Sequence, residues 1–232
     1  MSVIYLIPNT LGENNFDKIF PAYNKEIISR LRVFAVENIK TARRLIAALG
    51  LREIIDQSEF IVLNNKTNPQ DVLTFLHQNK AKNIGVVSEA GCPGIADPGA
   101  DLVRFAHQNG FKVEPLVGPS SILLALIASG LNGQNFSFTG YLPKQQNERV
   151  RKIKQLEQKV LKENQTQLFI ETPYRVQHML DDLLKHLHPE TLLCVAKNIT
   201  MTNQMIKTLP VAEWKSENID LNKQQVIFCI GR

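Results

Sequence analysis

Residues Gly85 to Gly99 read G-V-V-S-E-A-G-C-P-G-I-A-D-P-G, and this stretch constrains the chain more tightly than any other. An apolar run from Ile84 closes at Ser88, as a buried strand does, and Gly91, Pro93, Gly94, Pro98 and Gly99 follow almost at once. Asp97-Pro98 supplies an N-cap and a first-turn proline for a helix running through Leu102, Val103 and Ala106 to a stop at Gly110. The stretch therefore reads as strand, glycine-rich loop, helix. In an open α/β sheet such loops gather beyond the carboxyl ends of the strands, where ligands sit. No Gly-Lys-Ser/Thr follows, and glycines 91, 94 and 99 do not fall in the G-x-G-x-x-G spacing, so neither nucleotide-phosphate fingerprint is present. The alternative is a tight turn that merely needs glycine.

The flanking segments repeat the pattern. Val3 to Ile7 is an apolar run ending in Pro8-Asn9-Thr10-Leu11-Gly12, a first strand delivering a loop to the same sheet edge. Val33 to Val36 leads into Glu37-Asn38-Ile39-Lys40, and Phe60 to Leu63 reads as another strand. Helices are expected at Tyr23 to Arg30, Ala42 to Leu49 and Pro69 to Gln78, the last capped by Asn68. Phe111 to Val117 is a further strand, after which Gly118-Pro119-Ser120-Ser121 opens the apolar helix Ile122 to Ser129. That helix start suits a carboxylate ligand or, equally in kind, an ordinary serine cap. Strands alternating with helices predict a mainly parallel sheet.

Further strands are expected at Phe136 to Thr139, Leu168 to Glu171, Leu192 to Ala196, Met205 to Leu209 and Val226 to Ile230. Gln146 to Asn164 sets Val150, Ile153, Leu156 and Val160 at helical spacing, with Arg149, Arg151, Lys152, Lys154, Lys159 and Lys162 as a basic face. Interleaved Glu148, Glu157 and Glu163 allow a plain solvated face instead. An excess of 27 basic over 22 acidic residues suits an anionic partner such as RNA. Cys92, Cys194 and Cys229 are odd in number, widely spaced and without C-x-x-C, which argues against a disulfide framework or a zinc site and fits a reducing cytoplasm. The longest apolar run, Ile122 to Ala128, falls far short of the ~20 residues that span a bilayer, and Met1 to Ile7 lacks a signal peptide's basic start. No membrane segment and no metal are expected.

Ser88 to Arg104 resembles the S-D-A-G-T-P-x-I-x-D-P-G-x-x-L-V-R motif of the tetrapyrrole methylase superfamily, and more narrowly its branch that methylates a ribose 2′-hydroxyl on small-subunit ribosomal RNA. The likeness extends from Val3 to Gly231. Pro8 and Gly12 match the family's opening I-P-T-P-I-G-N-L, with Asn9 for threonine, Thr10 for proline and Glu13 for asparagine. Glu37 matches the first residue of E-D-T-R, while Asn38, Ile39 and Lys40 depart from it. Gly118, Pro119 and Ser120 match P-G-P-S; Gly140 to Pro143 resembles E-G-F-L-P; Glu171, Pro173 and Arg175 match Y-E-S-P-H-R; only Thr200 matches within R-E-L-T-K. Longer members of the branch continue into a further helical segment, which the resemblance does not reach.

The resemblance implies two consecutive α/β domains, placed at 1–117 and 118–232, with S-adenosylmethionine in the cleft between them; pattern alone also permits one doubly wound sheet. It assigns cofactor contacts to Pro8, Gly91, Cys92, Pro93, Ile95, Ser120, Ser121, Tyr141 and Ile170, many through backbone. It further implies a cytoplasmic homodimer acting on rRNA or the small subunit. The carboxylates open to a general-base role are Glu37, Glu89 and Glu171, with Lys197 a weaker option and loop bracing the alternative for each; no catalytic residue is singled out. Competing readings are a methyltransferase of this fold with a non-RNA acceptor, and a cofactor-binding regulator without turnover.

Overall fold

A computed structural model describes residues 2–12, 16–64 and 66–232. The chain divides into two compact units, Met1–Ser120 and Ser121–Arg232. The described residues of the first form β1 (Val3–Ile7), α1 (Phe16–Ile19), α2 (Ala22–Arg30), β2 (Val33–Val36), α3 (Ile39–Ala48), α4 (Arg52–Ile55), β3 (Glu59–Val62), α5 (Pro69–Gln78), β4 (Ile84–Val87), α6 (Gly99–Gln108) and β5 (Lys112–Pro115). The second contains α7 (Ser121–Ser129), β6 (Phe136–Tyr141), α8 (Gln146–Glu163), β7 (Thr166–Glu171), α9 (Val176–His186), β8 (Leu192–Lys197), β9 (Met205–Pro210), α10 (Val211–Trp214) and β10 (Val226–Gly231).

The first sheet is parallel throughout, in the order β3-β2-β4-β1-β5. Two of its inner strands, β2 and β4, are apolar and buried at every position because both faces are covered. Ile7, Phe34, Val36 and Val87 pack under α2 and α3, while Ile4, Val33, Ala35, Ile84 and Val86 pack with α5 and α6. Gly85 is required by this packing: a Cβ there would stand 2.7 Å from Ile7 Cδ1 and 2.9 Å from Phe34 Cδ1. The expected Asn68 cap on α5 is present, its side chain accepting from Gln70 N at 2.9 Å, with Pro69 in the first turn.

The second sheet runs β6-β7-β10-β8-β9 and departs from the parallel expectation. Only β6 and β7 are parallel; β7–β10, β10–β8 and β8–β9 are antiparallel. The short link from Lys197 to Met205 carries no crossover helix, so β8 and β9 must form a hairpin, and β10 enters between β7 and β8. Ile153, Leu156 and Val160 of α8 and Met179, Leu180 and Leu183 of α9 pack with Phe169, Val195 and Phe228 of the sheet. Trp214 is buried there and donates its Nε1–H to Leu193 O at 2.7 Å. Thr208 of β9 donates to Ser129 O of α7 at 2.8 Å. Cys194 and Cys229 lie opposite one another on β8 and β10 as buried free thiols.

Arg149 corrects the sequence reading of α8. It is buried rather than part of the basic face, because its Nη2 lies 2.6 Å from Asp182 Oδ2 and its Nη1 donates to Lys144 O at 2.9 Å. Asp182 also accepts from Gln146 Nε2 at 2.9 Å, so the pair is saturated by the N-terminal turn of α8. Asp182→Ala leaves the guanidinium buried without its counter-charge and should cost about 3–5 kcal/mol in urea unfolding of the second unit, whereas the Arg149→Met/Asp182→Leu pair should recover most of that loss.

Candidate functional site

In the first unit the chain leaves β1 towards β2 and leaves the adjacent β4 towards β5, on opposite sides. The carboxyl ends of β1 and β4 therefore flank the point where strand order reverses, the place at which open parallel sheets bind ligands. Two loops meet there. Asn9 N donates to Gly91 O at 2.8 Å and Gly91 N to Asn9 O at 3.2 Å, an isolated antiparallel bridge. The buried Asn9 side chain adds two bonds, its Nδ2 donating to Ser88 O and Glu89 O, both at 3.1 Å. A side chain that departs from the family motif is thus the one that ties the loops together.

The loop after β5 joins them. A Cβ on Gly118 would stand 2.2 Å from Pro8 Cγ, so glycine lets this backbone lie directly on the proline ring. Cys92 Sγ donates to Pro119 O at 3.5 Å. Gly91 holds φ +69°, a left-handed conformation open to glycine at little cost. Pro8, Gly91 and Pro93 are buried, whereas Ile95 and Val117 present apolar side chains to solvent at 49% and 73% exposure.

Asp97 organises the far end of the long loop. Its Oδ1 accepts from Gly94 N at 2.7 Å and Gly99 N at 2.8 Å. The helix itself starts at Gly99 with Pro98 in the cap position, yet Asp97 still supplies the cap's hydrogen bond two residues on. At the end of β2, α3 starts at Ile39, three residues earlier than the apolar pattern suggests. Asn38 is its cap, accepting from Lys40 N at 2.9 Å and Thr41 N at 3.4 Å.

Glu37 lies against this assembly. Burial raises its pKa first; the Glu89 backbone N–H, donating to the carboxylate, opposes this, and the charges of Glu89 and Asp97 raise it further. Asp97 is also raised, chiefly by burial, against the pull of its two backbone donors. Glu89 is exposed and accepts from Thr41 Oγ1 at 3.5 Å. The described residues contain no group of three or more His, Cys, Asp or Glu side chains able to hold a metal ion.

In the second unit Tyr141 and Ile170 are neighbours in register on β6 and β7, with Tyr141 57% exposed. Gly140, at φ +73°, lies within the register shift that precedes Tyr141. Glu171 is a brace: its buried Oε1 accepts from Arg175 Nη2 at 2.5 Å and Thr172 N at 2.6 Å, although Oε2 has no hydrogen-bond partner among the described residues. Asn198, in the loop where the family has glutamate, is buried and fastens the β8–β9 turn to Gln224 and Gln225. Lys197 ends β8, half-buried and paired in register with Met205 and Val226.

Residues 68–215 match the family described as Tetrapyrrole (Corrin/Porphyrin) Methylases, and the chain belongs to that family. It is 31% identical over 232 residues to the Ribosomal RNA small subunit methyltransferase I of Vibrio cholerae serotype O1, covering 98% of this chain and 76% of that protein. Among solved structures it resembles the methyltransferase CobJ, with a TM-score of 0.65 at 15% identity over 100% of this chain and 93% of the other. Diphthine synthase gives 0.67 at 14% identity over 99% and 90%. The protein is a methyltransferase with this family's fold.

The folded chain binds the Glu37 proton more tightly than the unfolded chain. Its stabilising contribution is therefore complete below the ordinary value of 4.5 and is lost as pH rises through the elevated folded value. Glu37→Gln should raise the melting temperature at pH 7 and leave it unchanged at pH 4 in scanning calorimetry. An equal offset at both pH values would contradict this account.

Proposed function

We propose that the protein transfers a methyl group from S-adenosylmethionine to RNA, the acceptor being the ribose 2′-hydroxyl of a cytidine in small-subunit rRNA. The observation that carries the cofactor reading is the meeting of the loops after β1, β4 and β5 at the reversal of strand order. The acceptor reading is supported by the name of the Vibrio relative.

The residues present fit such a cofactor. Ile95 and Val117 present apolar surface suited to a flat base. Glu37, Glu89 and Asp97 form an acidic surround that favours a cation. When bound, S-adenosylmethionine supplies an electrophilic methyl group on a positively charged sulfur. The protein's own task is to align the acceptor oxygen and exclude water. Glu37 is the carboxylate best suited to take the acceptor proton, because its raised pKa lies closer to neutral working pH than that of an ordinary glutamate.

Among the described residues no helix is long and apolar enough to cross a membrane. We place the protein in the cytoplasm and propose a homodimer, because α7 buries Ala125 and Leu126 yet leaves Ile127 77% exposed.

Isothermal calorimetry should detect S-adenosylmethionine binding to the native chain. Gly91→Val, which puts a branched side chain at positive φ, should weaken it at least about a hundredfold while circular dichroism still reports a folded protein. Labelled methyl should enter rRNA when the protein is incubated with small subunits from a methylation-deficient strain. Label confined to protein or metabolite fractions would reject the RNA acceptor.

A further inference from the structure

Four of the thirteen lysines and arginines in residues 1–120 line one open recess on the first unit. Lys40, Arg43, Arg44 and Ala47 of α3 line it together with Arg52 and Ile55 of α4 and the following Asp56. The four cations are exposed, and among the described residues none of them takes part in an ion pair. Arg43 is partly preordered, its guanidinium carbon 5.7 Å from the centre of the Phe60 ring, which is itself stacked on Phe34.

Helix stability does not explain this arrangement. The first turn of α3 carries no acidic residue, and its last turn carries no basic one. Lys40 therefore sits at the end of the helix dipole that repels cations. Lys40 and Arg44, four residues apart, are about 6 Å apart along the axis and share a face. The row begins beside the candidate site, because α3 follows Glu37 directly and its Thr41 bonds to Glu89 of the β4 loop. A recess of about 460 Å³ is wider than a single anion needs and suits a stretch of sugar-phosphate chain.

We infer that this recess is a docking groove for the phosphate backbone of the RNA acceptor, with Arg43, Arg44 and Arg52 as its principal contacts and Lys40 linking it to the reacting end. The inference rests on the RNA reading above and adds to it the surface that holds the substrate. Arginine forks meet phosphate oxygens two at a time, and such contacts position a strand without reading its sequence.

The test uses the full chain, a single-stranded RNA oligonucleotide, and methylation-deficient small subunits with labelled S-adenosylmethionine. Arg43→Glu/Arg44→Glu should lower RNA affinity at least tenfold and reduce the salt slope by about 1.4, from ~0.7 per phosphate contact on a single strand. The KM for subunits should rise while calorimetric cofactor binding is unchanged. The neutral pair Arg43→Gln/Arg44→Gln, which tests the same contacts if the reversal fails to fold, should show a smaller loss in the same direction. Lys80→Glu/Lys82→Glu, an equal charge change at residues that do not line the recess, should leave RNA affinity within about twofold. Native methylation of RNA with unchanged affinity and KM in both arginine pairs would overturn the groove and leave the proposed function intact. Equal losses from the lysine pair would also overturn it, by showing that net charge alone is at work. Retained RNA affinity with lost binding to polyglutamate would reassign the recess to an acidic protein. Absence of methyl transfer to RNA by the native chain would remove the reading on which the groove depends.

Discussion

The backbone bridge between Asn9 and Gly91 is the constraint on which the first unit's loops depend. Two loops separated by about eighty residues are held to a common plane by paired main-chain hydrogen bonds, and the Asn9 amide extends the stitching to Ser88 and Glu89. Once the β4 loop is pinned there, Gly118 can lie on Pro8 and Cys92 can reach Pro119. The loop interior then has its polar atoms satisfied by protein: Ser88 Oγ donates to Gly91 O at 3.0 Å, and Asp97 gathers the amides of Gly94 and Gly99. This preorganisation is what a site that acts by positioning requires.

The first unit was largely legible in the sequence because its local and tertiary signals agree. Doubly covered strands leave unbroken apolar runs, and Val33–Val36 and Ile84–Val87 have the bounds their runs suggest. The second sheet was not legible in the same way. Strand order and direction depend on which connections are long enough to cross over, and alternation with helices carries no record of β10 inserting between β7 and β8. Cys194 and Cys229, thirty-five residues apart, become neighbours only through that insertion.

At the site, sequence reasoning located the loops better than the duties of single side chains. Glycine and proline advertise backbone geometry, so Pro8, Gly91 and Gly118 could be picked out. Asn9 and Asn38 looked like departures from the family's pattern, yet one bridges loops and the other caps α3; amide side chains accept and donate, and what they find is decided by tertiary neighbours. Arg149 was misread for a related reason: helical spacing places it beside exposed lysines, but its partner Asp182 arrives from α9. Glu37 stood out as a matching carboxylate, while its raised pKa comes from burial and from Glu89 and Asp97, which only the fold brings near.

The strand order of the first sheet also sets an order of assembly. β1, the first strand to be synthesised, pairs only with β4 and β5, so most of the unit must emerge before its edges have anything to join. β2 and β3, linked through α3 and α4, form the one pair in the first sheet made from strands consecutive in the sequence. Closing the sheet then requires β4 to slot between β2 and β1, a long-range event of the kind that slows folding and leaves apolar edges exposed in the meantime. The bridge that completes the site is therefore among the last contacts to form, and a nascent chain ending before β4 has no partner for its first strand.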